Sequence, residues 1–439
     1  MEILIKITQF ILSLSILVIL HEMGHFFFAK LFKTRVEKFY LFFNPWFSLL
    51  KFKKGETEYG VGWLPLGGYV KISGMIDESM DMEQMKLPPQ PYEFRSKPSW
   101  QRLLIMIGGV LVNFLLAMFI YSAVLFVWGE EYLPTKNVKY GISCDTTAIN
   151  MGLQNGDKIL SLDNKPVENF RDITPDLVFE GIQTIQVDRN GEQLDIKVPE
   201  WLTRSLIKNP KEFIQPRFPF YIGEFANNSI GAKAGLKVGD QLIGIDSVKT
   251  PFFNDFRREI ITRKNQNISI LVLRSGQEVR VPVKVPESTL LGIGADNWTK
   301  FFELKVITYG FWESIPAGIN KGVTTLTDYI KQFKLLFTPK TKAYESLGGF
   351  ITIGKIFPGV WDWQAFWSLT AFLSIILAFM NILPIPALDG GHVAFLLYEM
   401  VTGRKPGDKF LEYAQIVGLV LLFSLLIFAN LNDVIRLFK

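Results

Sequence analysis

Cysteine and histidine are scarce in this sequence, and long runs of one charge sign are missing. The 439 residues include one cysteine, Cys144, and three histidines. A single cysteine excludes an intramolecular disulfide, and by itself it decides no cellular compartment. The formal charge of +5 is spread along the chain without a long basic run. This pattern argues against a nucleic-acid-binding tail, and we expect no nucleic-acid partner.

Apolar residues, by contrast, are abundant. Hydrophobic residues make up 49% of the chain and aromatic residues 14%. This composition is too apolar for an ordinary soluble protein and too polar for one that lies entirely in a membrane. The length leaves room for two to four units. We therefore expect membrane-spanning segments combined with water-soluble domains.

Four segments are long and apolar enough to cross a bilayer, which requires about 20 mostly apolar residues. They cover residues 3–28, 103–128, 367–383 and 413–431. The third is the shortest and also fits a buried helix. A cleaved signal peptide is the competing interpretation of the first. That start is only weakly charged and no small-x-small cleavage site follows, so we expect the segment to be retained.

Basic residues in the connecting loops predict the orientation of these segments. Those between the first two segments are Lys30, Lys33, Arg35, Lys38, Lys51, Lys53 and Lys54, and those between the last two are Arg404, Lys405 and Lys409. The positive-inside rule places both connections in the cytoplasm. The long middle region is then extracytoplasmic.

The stretch ILVILHEMGHFFFAK, residues 16–30, places two histidines and a glutamate inside an apolar run. Polar side chains at membrane depth are costly and usually functional. An accidental His-Glu-x-x-His is expected on the order of once per thousand such chains. On a helix, His21 and His25 stand one turn apart on one face, which lets two imidazoles share one zinc ion. The alternative is a pair of core histidines satisfied by their neighbours.

A second polar stretch, NILPIPALDGGH at residues 381–392, is predicted to emerge at the same depth. Its two prolines end a helix, and the following Leu-Asp-Gly-Gly indicates a turn. Catalytic zinc takes three protein ligands and leaves a fourth position open, so Asp389 and His392 compete to be the third. Asp389 alternatively caps a helix over 393–401. Glu22, beside the first histidine, is suited to act as general base in amide hydrolysis.

HEMGH at residues 21–25, followed late in the chain by NILPIPALDG at residues 381–390, resembles the site-2 protease family of intramembrane zinc metalloproteases, and within it the bacterial RseP type. The resemblance implies a Zn²⁺ cofactor and leaves His392 a structural or supporting role. For the site residues it implies zinc bound by His21, His25 and Asp389, catalysis by Glu22, and substrate contact or transition-state support by Asn381.

One departure from the family pattern is visible before the third span. Relatives tend to carry a Ser-Gly-Pro-Ile stretch there, whereas this chain has SLGGFI at residues 346–351. The family's packing role for this segment therefore does not transfer directly.

The loop after the first span indicates a β-element. Residues 56–73, ETEYGVGWLPLGGYVKIS, alternate apolar and polar residues on both sides of PLGG, as a hairpin over about 55–75 would. Its apolar character predicts partial membrane insertion, which the resemblance also implies. An open strand edge could hold an extended substrate, which makes Gly67, Gly68 and Tyr69 candidate substrate-binding residues. The alternative is a small surface hairpin. Residues 77–98 are predicted to form a cytoplasmic linker.

The middle region repeats itself. MGLQNGDKILSLD at 151–163 realigns with AGLKVGDQLIGID at 234–246, which indicates two copies of one small domain. Gly-Leu-x-x-Gly-Asp followed by an alternating strand resembles PDZ domains, in tandem as the RseP type would have. The segments 140–142 and 221–223, each with a Tyr and a Gly, could take peptide carboxyl termini, or they could be packing strands.

Before the third span, apolar residues recur at helical spacing at Ile330, Phe333, Leu336 and Phe337. The pattern predicts a helix on the membrane surface or one packed against the PDZ pair.

Taken together, the sequence predicts an α-helical polytopic membrane protein with four transmembrane helices, a membrane-associated β-hairpin and two inserted extracytoplasmic α+β PDZ domains. The predicted divisions are 1–30 (first transmembrane helix), 31–100 (cytoplasmic loop with the hairpin), 101–129 (second transmembrane helix), 130–205 and 206–295 (PDZ domains), 296–362 (membrane-surface helical region), 363–392 (third transmembrane helix) and 393–439 (cytoplasmic loop and fourth transmembrane helix).

The expected function is zinc-dependent cleavage of transmembrane segments, with the PDZ pair filtering substrates. By resemblance, the substrates are single-span membrane proteins such as anti-sigma factors, or remnant signal peptides. The expected location is the bacterial inner membrane with periplasmic PDZ domains. The alternative is a membrane-anchored PDZ scaffold without activity. A zinc transporter would need more ionisable residues along its path than four spans supply.

Overall fold

The computed structural model describes residues 1–65, 67–75, 87–208, 213–339 and 341–438, and the chain divides into two compact units. The first, which we call the membrane unit, comprises Met1–Gly129, Thr308–Lys334 and Tyr344–Lys439. The second, the inserted unit, comprises Glu130–Ile307 and Leu335–Ala343.

The elements follow one another in chain order through these units. The membrane unit begins with α1 (Glu2–Leu31), β1 (Val36–Leu41), β2 (Leu50–Lys54), β3 (Thr57–Val61), β4 (Tyr69–Ile72) and α2 (Ser99–Trp128). The inserted unit contains β5 (Glu130–Tyr132), β6 (Ile142–Cys144), α3 (Thr146–Met151), β7 (Lys158–Leu162), β8 (Lys165–Pro166), α4 (Ile173–Phe179), β9 (Thr184–Arg189), β10 (Glu192–Lys197), α5 (Leu202–Lys208), β11 (Ile214–Pro216), β12 (Phe220–Phe225), α6 (Ile230–Ala234), β13 (Gln241–Ile245), β14 (Val248–Lys249), α7 (Phe253–Ile261), β15 (Asn267–Arg274), β16 (Gln277–Lys284), β17 (Ile293–Ala295) and β18 (Lys305–Ile307). The chain ends with α8 (Phe311–Leu336), α9 (Phe350–Ile356), α10 (Trp363–Ile382), α11 (Asp389–Thr402) and α12 (Asp408–Leu437).

Within the described residues, four helices are long and apolar enough to cross a membrane: α1, α2, α10 and α12. Three of them contain a segment predicted from hydropathy, and α10 begins four residues before the predicted third segment and ends one residue before its predicted end. The chain is a polytopic membrane protein.

Small and polar side chains join the helices of the membrane unit. A Cβ added to Gly24 of α1 would lie 2.2 Å from the backbone oxygen of Gly108 in α2, so only glycine allows this approach. On α10, the Thr370 hydroxyl donates to Ser13 of α1 at 3.0 Å, and Ser374 donates to the backbone oxygen of Asn113 at 2.7 Å. These contacts fix α1, α2 and α10 against one another.

The four strands after α1 form one sheet in the order β2-β3-β1-β4. β3 runs parallel to β1 and β4 runs antiparallel to it, so β3 and β4 flank β1 and do not pair with each other. The predicted hairpin across residues 65–68 is therefore wrong, although both of its strands exist. The hairpin present is β2–β3, which turns at Gly55 with a φ of 63°. Alternation identifies strands, but it does not identify their partners.

The predicted linker at 77–98 falls partly outside the described residues. Within its described part, Phe94 is buried, and its N–H donates to the backbone oxygen of Ser73 just after β4. Phe94 therefore packs beside the sheet, whereas residues 87–92 are exposed.

The inserted unit contains two lobes, each with its own buried core. Both lobes follow the order strand, helix, two strands, helix, two strands, as the sequence repeat predicts. The first core includes Phe213 and Phe302, and β11 pairs with β6. β18 pairs with β5 at the start of the unit. The predicted limit of the first domain at 205 is therefore too early, and segments after 295 return to complete the first lobe.

Helix α8 packs beside membrane-spanning helices. Its buried residues are Ser314, Gly318 and Gly322, spaced four apart, and a Cβ on Gly318 would lie 2.2 Å from Ser122 Oγ of α2. Phe333 packs edge-on against Phe379 of α10. Neither expectation for this helix, a membrane-surface position or packing on the PDZ pair, anticipated these contacts.

Candidate metal centre

Three side chains from two distant parts of the sequence converge in the membrane unit. His21 Nε2 and His25 Nε2 on α1 lie 3.3 Å apart. Asp389 Oδ2, in the first turn of α11, lies 3.1 Å from the former and 3.3 Å from the latter. The three atoms form a nearly equilateral triangle, and both histidines are buried.

These distances fit a divalent metal. A tetrahedral zinc ion at about 2.0–2.1 Å from each ligand separates any two ligand atoms by about 3.3 Å. Asp389 Oδ2 is buried. Within the described part of the chain it accepts no hydrogen bond, although two imidazole nitrogens lie nearby. A buried carboxylate oxygen in that position requires a cation or a donor. The donor set of two imidazoles and one carboxylate is one that zinc accepts.

The outer nitrogen of each imidazole has a different partner. His25 Nδ1 donates to the backbone oxygen of Ile105 at 2.8 Å. Because a carbonyl only accepts, this bond places the proton on Nδ1 and leaves the Nε2 lone pair for a metal. His21 Nδ1 lies 3.2 Å from Nδ2 of Asn113.

Glycine in α2 makes room for the two imidazoles. A Cβ on Gly109 would lie 2.4 Å from His25 Nε2 and 2.7 Å from His21 Cε1. Sequence reasoning missed both Gly109 and Asn113. The available signal was a glycine pair and one polar residue inside the apolar run 103–120.

The turn before α11 explains how Asp389 reaches the histidines. A Cβ on Gly390 would lie 2.2 Å from the backbone oxygen of Leu383, so the chain folds tightly back on the end of α10. Ala387 has a φ of 79°, which supports the same reversal. Asp389 is the first residue of α11, and the N-cap position is Leu388. The alternative role of Asp389 as a cap is therefore wrong.

Glu22 lies next to His21 and beside the edge strand β4. A Cβ on Gly68 would lie 3.4 Å from Glu22 Cγ and 2.8 Å from Val18 Cγ1. The start of β4 thus packs directly on the helix face that carries Glu22.

The other predicted site residues are placed differently. The Tyr69 hydroxyl donates to Asn44 Oδ1 at 2.9 Å and its ring stacks on Tyr40, so this side chain is used within the sheet. Asn381 lies in the last turn of α10, half-buried, and makes no hydrogen bond to the triad among the described residues. His392 lines a separate cavity of about 260 Å³ and is not part of the ligand group.

The two segments proposed to take peptide termini are already paired within the chain. Ile142 belongs to β6, whose partner is β11, and the Gly141 oxygen accepts from Arg217 N at 3.0 Å. The segment 221–223 belongs to β12, which lies between β13 and β17. Both strands thus have partners supplied by this chain.

Comparison with known proteins agrees with this geometry. The sequence model of peptidase family M50 matches residues 9–425. The regulator of sigma E protease from Haemophilus influenzae is 28% identical over an alignment of 471 positions, gaps included, that covers 100% of both chains. A Rickettsia conorii protein named as a zinc metalloprotease is 28% identical over 442 residues, 99% of this chain and 100% of the relative. One so named from Neisseria meningitidis is 29% identical over 454 residues, 98% of each.

The match to the family extends over most of the chain and includes the residues of the triangle. The chain therefore belongs to peptidase family M50 and is a zinc metalloprotease.

Proposed function

We propose that this protein is an intramembrane zinc endopeptidase that hydrolyses transmembrane segments of other membrane proteins. One observation carries the proposal: the triangle of His21, His25 and Asp389 lies among helices long and apolar enough to cross a bilayer. Polar groups at that depth are costly unless they serve a site. A membrane-anchored scaffold has no use for them.

The residues divide the chemistry among them. His21, His25 and Asp389 would hold the zinc and leave a fourth position for water or substrate. The ion, when bound, supplies Lewis-acid polarisation of water and of the scissile carbonyl. Glu22 takes the proton from the attacking water and transfers it to the departing amine. The start of β4 packs beside Glu22, which keeps its side chain on the side of the sheet edge.

The same edge is suited to present the substrate. A helical segment must become extended before its backbone can be hydrolysed, and an edge strand can stabilise an extended peptide by main-chain hydrogen bonds. β4 is an edge strand that begins beside Glu22. The backbone of Gly67, Gly68 and Tyr69 would guide the peptide, and Asn381 would contact it from the end of α10.

The inserted unit would control which substrates arrive. We assign its two lobes as a tandem of PDZ domains on the periplasmic side of the inner membrane. Because β11 and β17 occupy the strand edges of β6 and β12, a filter that excludes substrates with large domains is favoured over capture of peptide termini. The relative named regulator of sigma E protease makes membrane-anchored anti-sigma factors the first candidates, with remnant signal peptides second.

The test uses purified full-length protein in detergent with a panel of tagged single-span peptides. The wild type should cut within the apolar span, lose activity to a zinc chelator and regain it with zinc. Glu22→Gln should retain zinc and slow cleavage by about 10²–10⁴-fold, the usual contribution of a general base. Glu2→Gln, at the exposed start of the same helix, is the matched control and should cut normally. Undiminished cleavage by Glu22→Gln would overturn the proposal.

A further inference from the structure

Asn113 is a buried polar residue of α2 whose side chain faces a metal-binding imidazole. It is the only polar residue in the run 103–120 and is 0% exposed. Its Nδ2 lies 3.2 Å from His21 Nδ1. Its Oδ1 is also buried and, among the described residues, has no hydrogen-bond partner. Among the described residues, the His21 ring is therefore the one hydrogen-bond partner of this side-chain amide.

The two imidazoles of the triangle are consequently supported in different ways. The backbone oxygen of Ile105 can only accept, so it holds His25 in one tautomer. An amide can donate through its nitrogen or accept through its oxygen, and its two ends have nearly the same shape. When the amide donates, neutral His21 carries its proton on Nε2 and cannot bind a metal there. When the amide accepts, the proton lies on Nδ1 and Nε2 is available.

We propose that Asn113 is the positioning residue of His21, and that it turns Oδ1 toward Nδ1 when zinc binds. In that orientation it accepts the imidazole N–H, fixes the tautomer that offers Nε2, and fixes the plane of the ring. No other hydrogen bond of the amide opposes the turn within the described residues. The inference rests on the proposed function, because it requires His21 to be a zinc ligand.

A purely structural role for Asn113 makes a different prediction. Polar residues in membrane helices often hold helices together. Here the link between α2 and α10 is made by the backbone oxygen of Asn113, which accepts from Ser374, and it does not involve the amide. Removing the amide should therefore weaken zinc binding more than it weakens helix packing.

Zinc affinity of the full-length protein, measured by competition with a chelator, tests this separation. Asn113→Leu keeps the size but cannot accept, and should bind zinc about 10–100-fold more weakly, the usual effect of losing the outer partner of a ligand. Asn113→Asp, whose ionised carboxylate only accepts, should bind zinc more tightly than Asn113→Leu does. Ser374→Ala, which removes the contact to the backbone oxygen alone, is the control and should bind zinc normally. Thermal unfolding of each variant shows whether it folds.

Nitrogen NMR of ¹⁵N-histidine-labelled protein gives a readout that packing alone would not move. The chain has three histidines, and His392→Gln helps to assign them. In zinc-bound wild type, His21 Nδ1 should carry the proton. An unprotonated Nδ1, or wild-type zinc affinity in a folded Asn113→Leu, would overturn the inference. If His21→Ala binds zinc as tightly as the wild type, the proposed function fails instead.

Discussion

At the scale of single residues, the metal centre depends on glycines that leave room for its ligands as much as on the ligands themselves. Gly109 lies against both imidazoles, and Gly24 and Gly108 hold α1 and α2 at backbone contact. The helix that carries Gly109 therefore cannot move away to accommodate a larger side chain.

Gly109→Ala should disable the metal centre without unfolding the protein. The added methyl would lie 2.4 Å from His25 Nε2, so the imidazole must leave its position. Zinc affinity should fall by about tenfold or more, comparable to the loss of a supporting contact. Zinc retained after dialysis against a chelator measures the effect. Gly354→Ala is the control, since a Cβ there meets nothing within 4 Å. Wild-type zinc retention by Gly109→Ala would contradict the geometry.

The residues of the candidate site were predictable only in part. His21, Glu22, His25 and Asp389 stand in local motifs whose spacing carries chemical meaning. The supporting residues Gly109 and Asn113 act through contacts with residues more than 80 positions away along the chain, and no local pattern records such contacts.

At the scale of elements, the position of Asp389 depends on how α11 is held. Arg102, near the start of α2, donates to Glu399 of α11 and to the backbone oxygen of Lys97. Both charged side chains are about nine-tenths buried. Val393 and Leu396 of the same helix enter a core with Ile105. The pair therefore anchors α11 to the helix that also carries Asn113.

Glu399→Gln should destabilise the membrane unit by about 3–5 kcal/mol, because it leaves Arg102 buried without its counter-charge. Thermal unfolding in detergent measures the loss. The double variant Arg102→Met with Glu399→Met removes both charges and should recover most of the stability. If the single and double variants unfold at the same temperature, the pair is not the anchor.

Residues 346–351, which depart from the family pattern, lie beside α12 and contact it. Asp433 of α12 accepts the backbone N–H groups of Gly349 and Thr352, each at 2.9 Å. These bonds satisfy donors at the start of α9, which otherwise lack helical partners. In this chain the segment is thus a joint between α9 and the fourth candidate span.

At the scale of the whole molecule, the two lobes of the inserted unit repeat one electrostatic clamp. In the first lobe, Arg189 donates to both oxygens of Asp157 and to the Gly152 backbone oxygen. In the second lobe, Arg274 makes the same bonds to Asp240 and to the Gly235 oxygen. The first glycine and the aspartate of each Gly-Leu-x-x-Gly-Asp repeat are therefore the groups that bind the arginine.

Asp240→Asn should destabilise the second lobe by about 2 kcal/mol, since it weakens charge-assisted hydrogen bonds. Burial alone would raise the pKa of Asp240, but hydrogen bonds from Arg274 and from the Lys237 N–H outweigh it and lower the pKa. The stability from the ionised carboxylate is therefore complete above its ordinary pKa near 3.8 and is lost as pH falls through the lower folded value.

Unfolding curves of the second lobe at several pH values measure this effect. The wild type should lose more stability on acidification than Asp240→Asn does. Asp296→Asn, which removes a more exposed carboxylate paired with Lys300, is the control and should change less. Equal pH dependence of wild type and Asp240→Asn would contradict the clamp.

Much of the fold follows from the sequence, because its largest features are local. Hydropathy predicts the four long helices, and the repeat predicts the two lobes. Strand partners and unit limits were not predictable, since β1 lies between β3 and β4, and β11 and β18 return to strands far earlier in the chain. Such pairings depend on tertiary packing, which periodicity does not encode.

The central claim is that one zinc ion is bound jointly by α1 and the first turn of α11. Zinc K-edge X-ray absorption on purified full-length Glu22→Gln protein tests it most directly. We predict one zinc per chain with two imidazole nitrogens and at least one carboxylate oxygen, and loss of the ion in His21→Ala and in Asp389→Ala. Zinc absent from the intact protein, or retained unchanged in both alanine variants, would contradict the account.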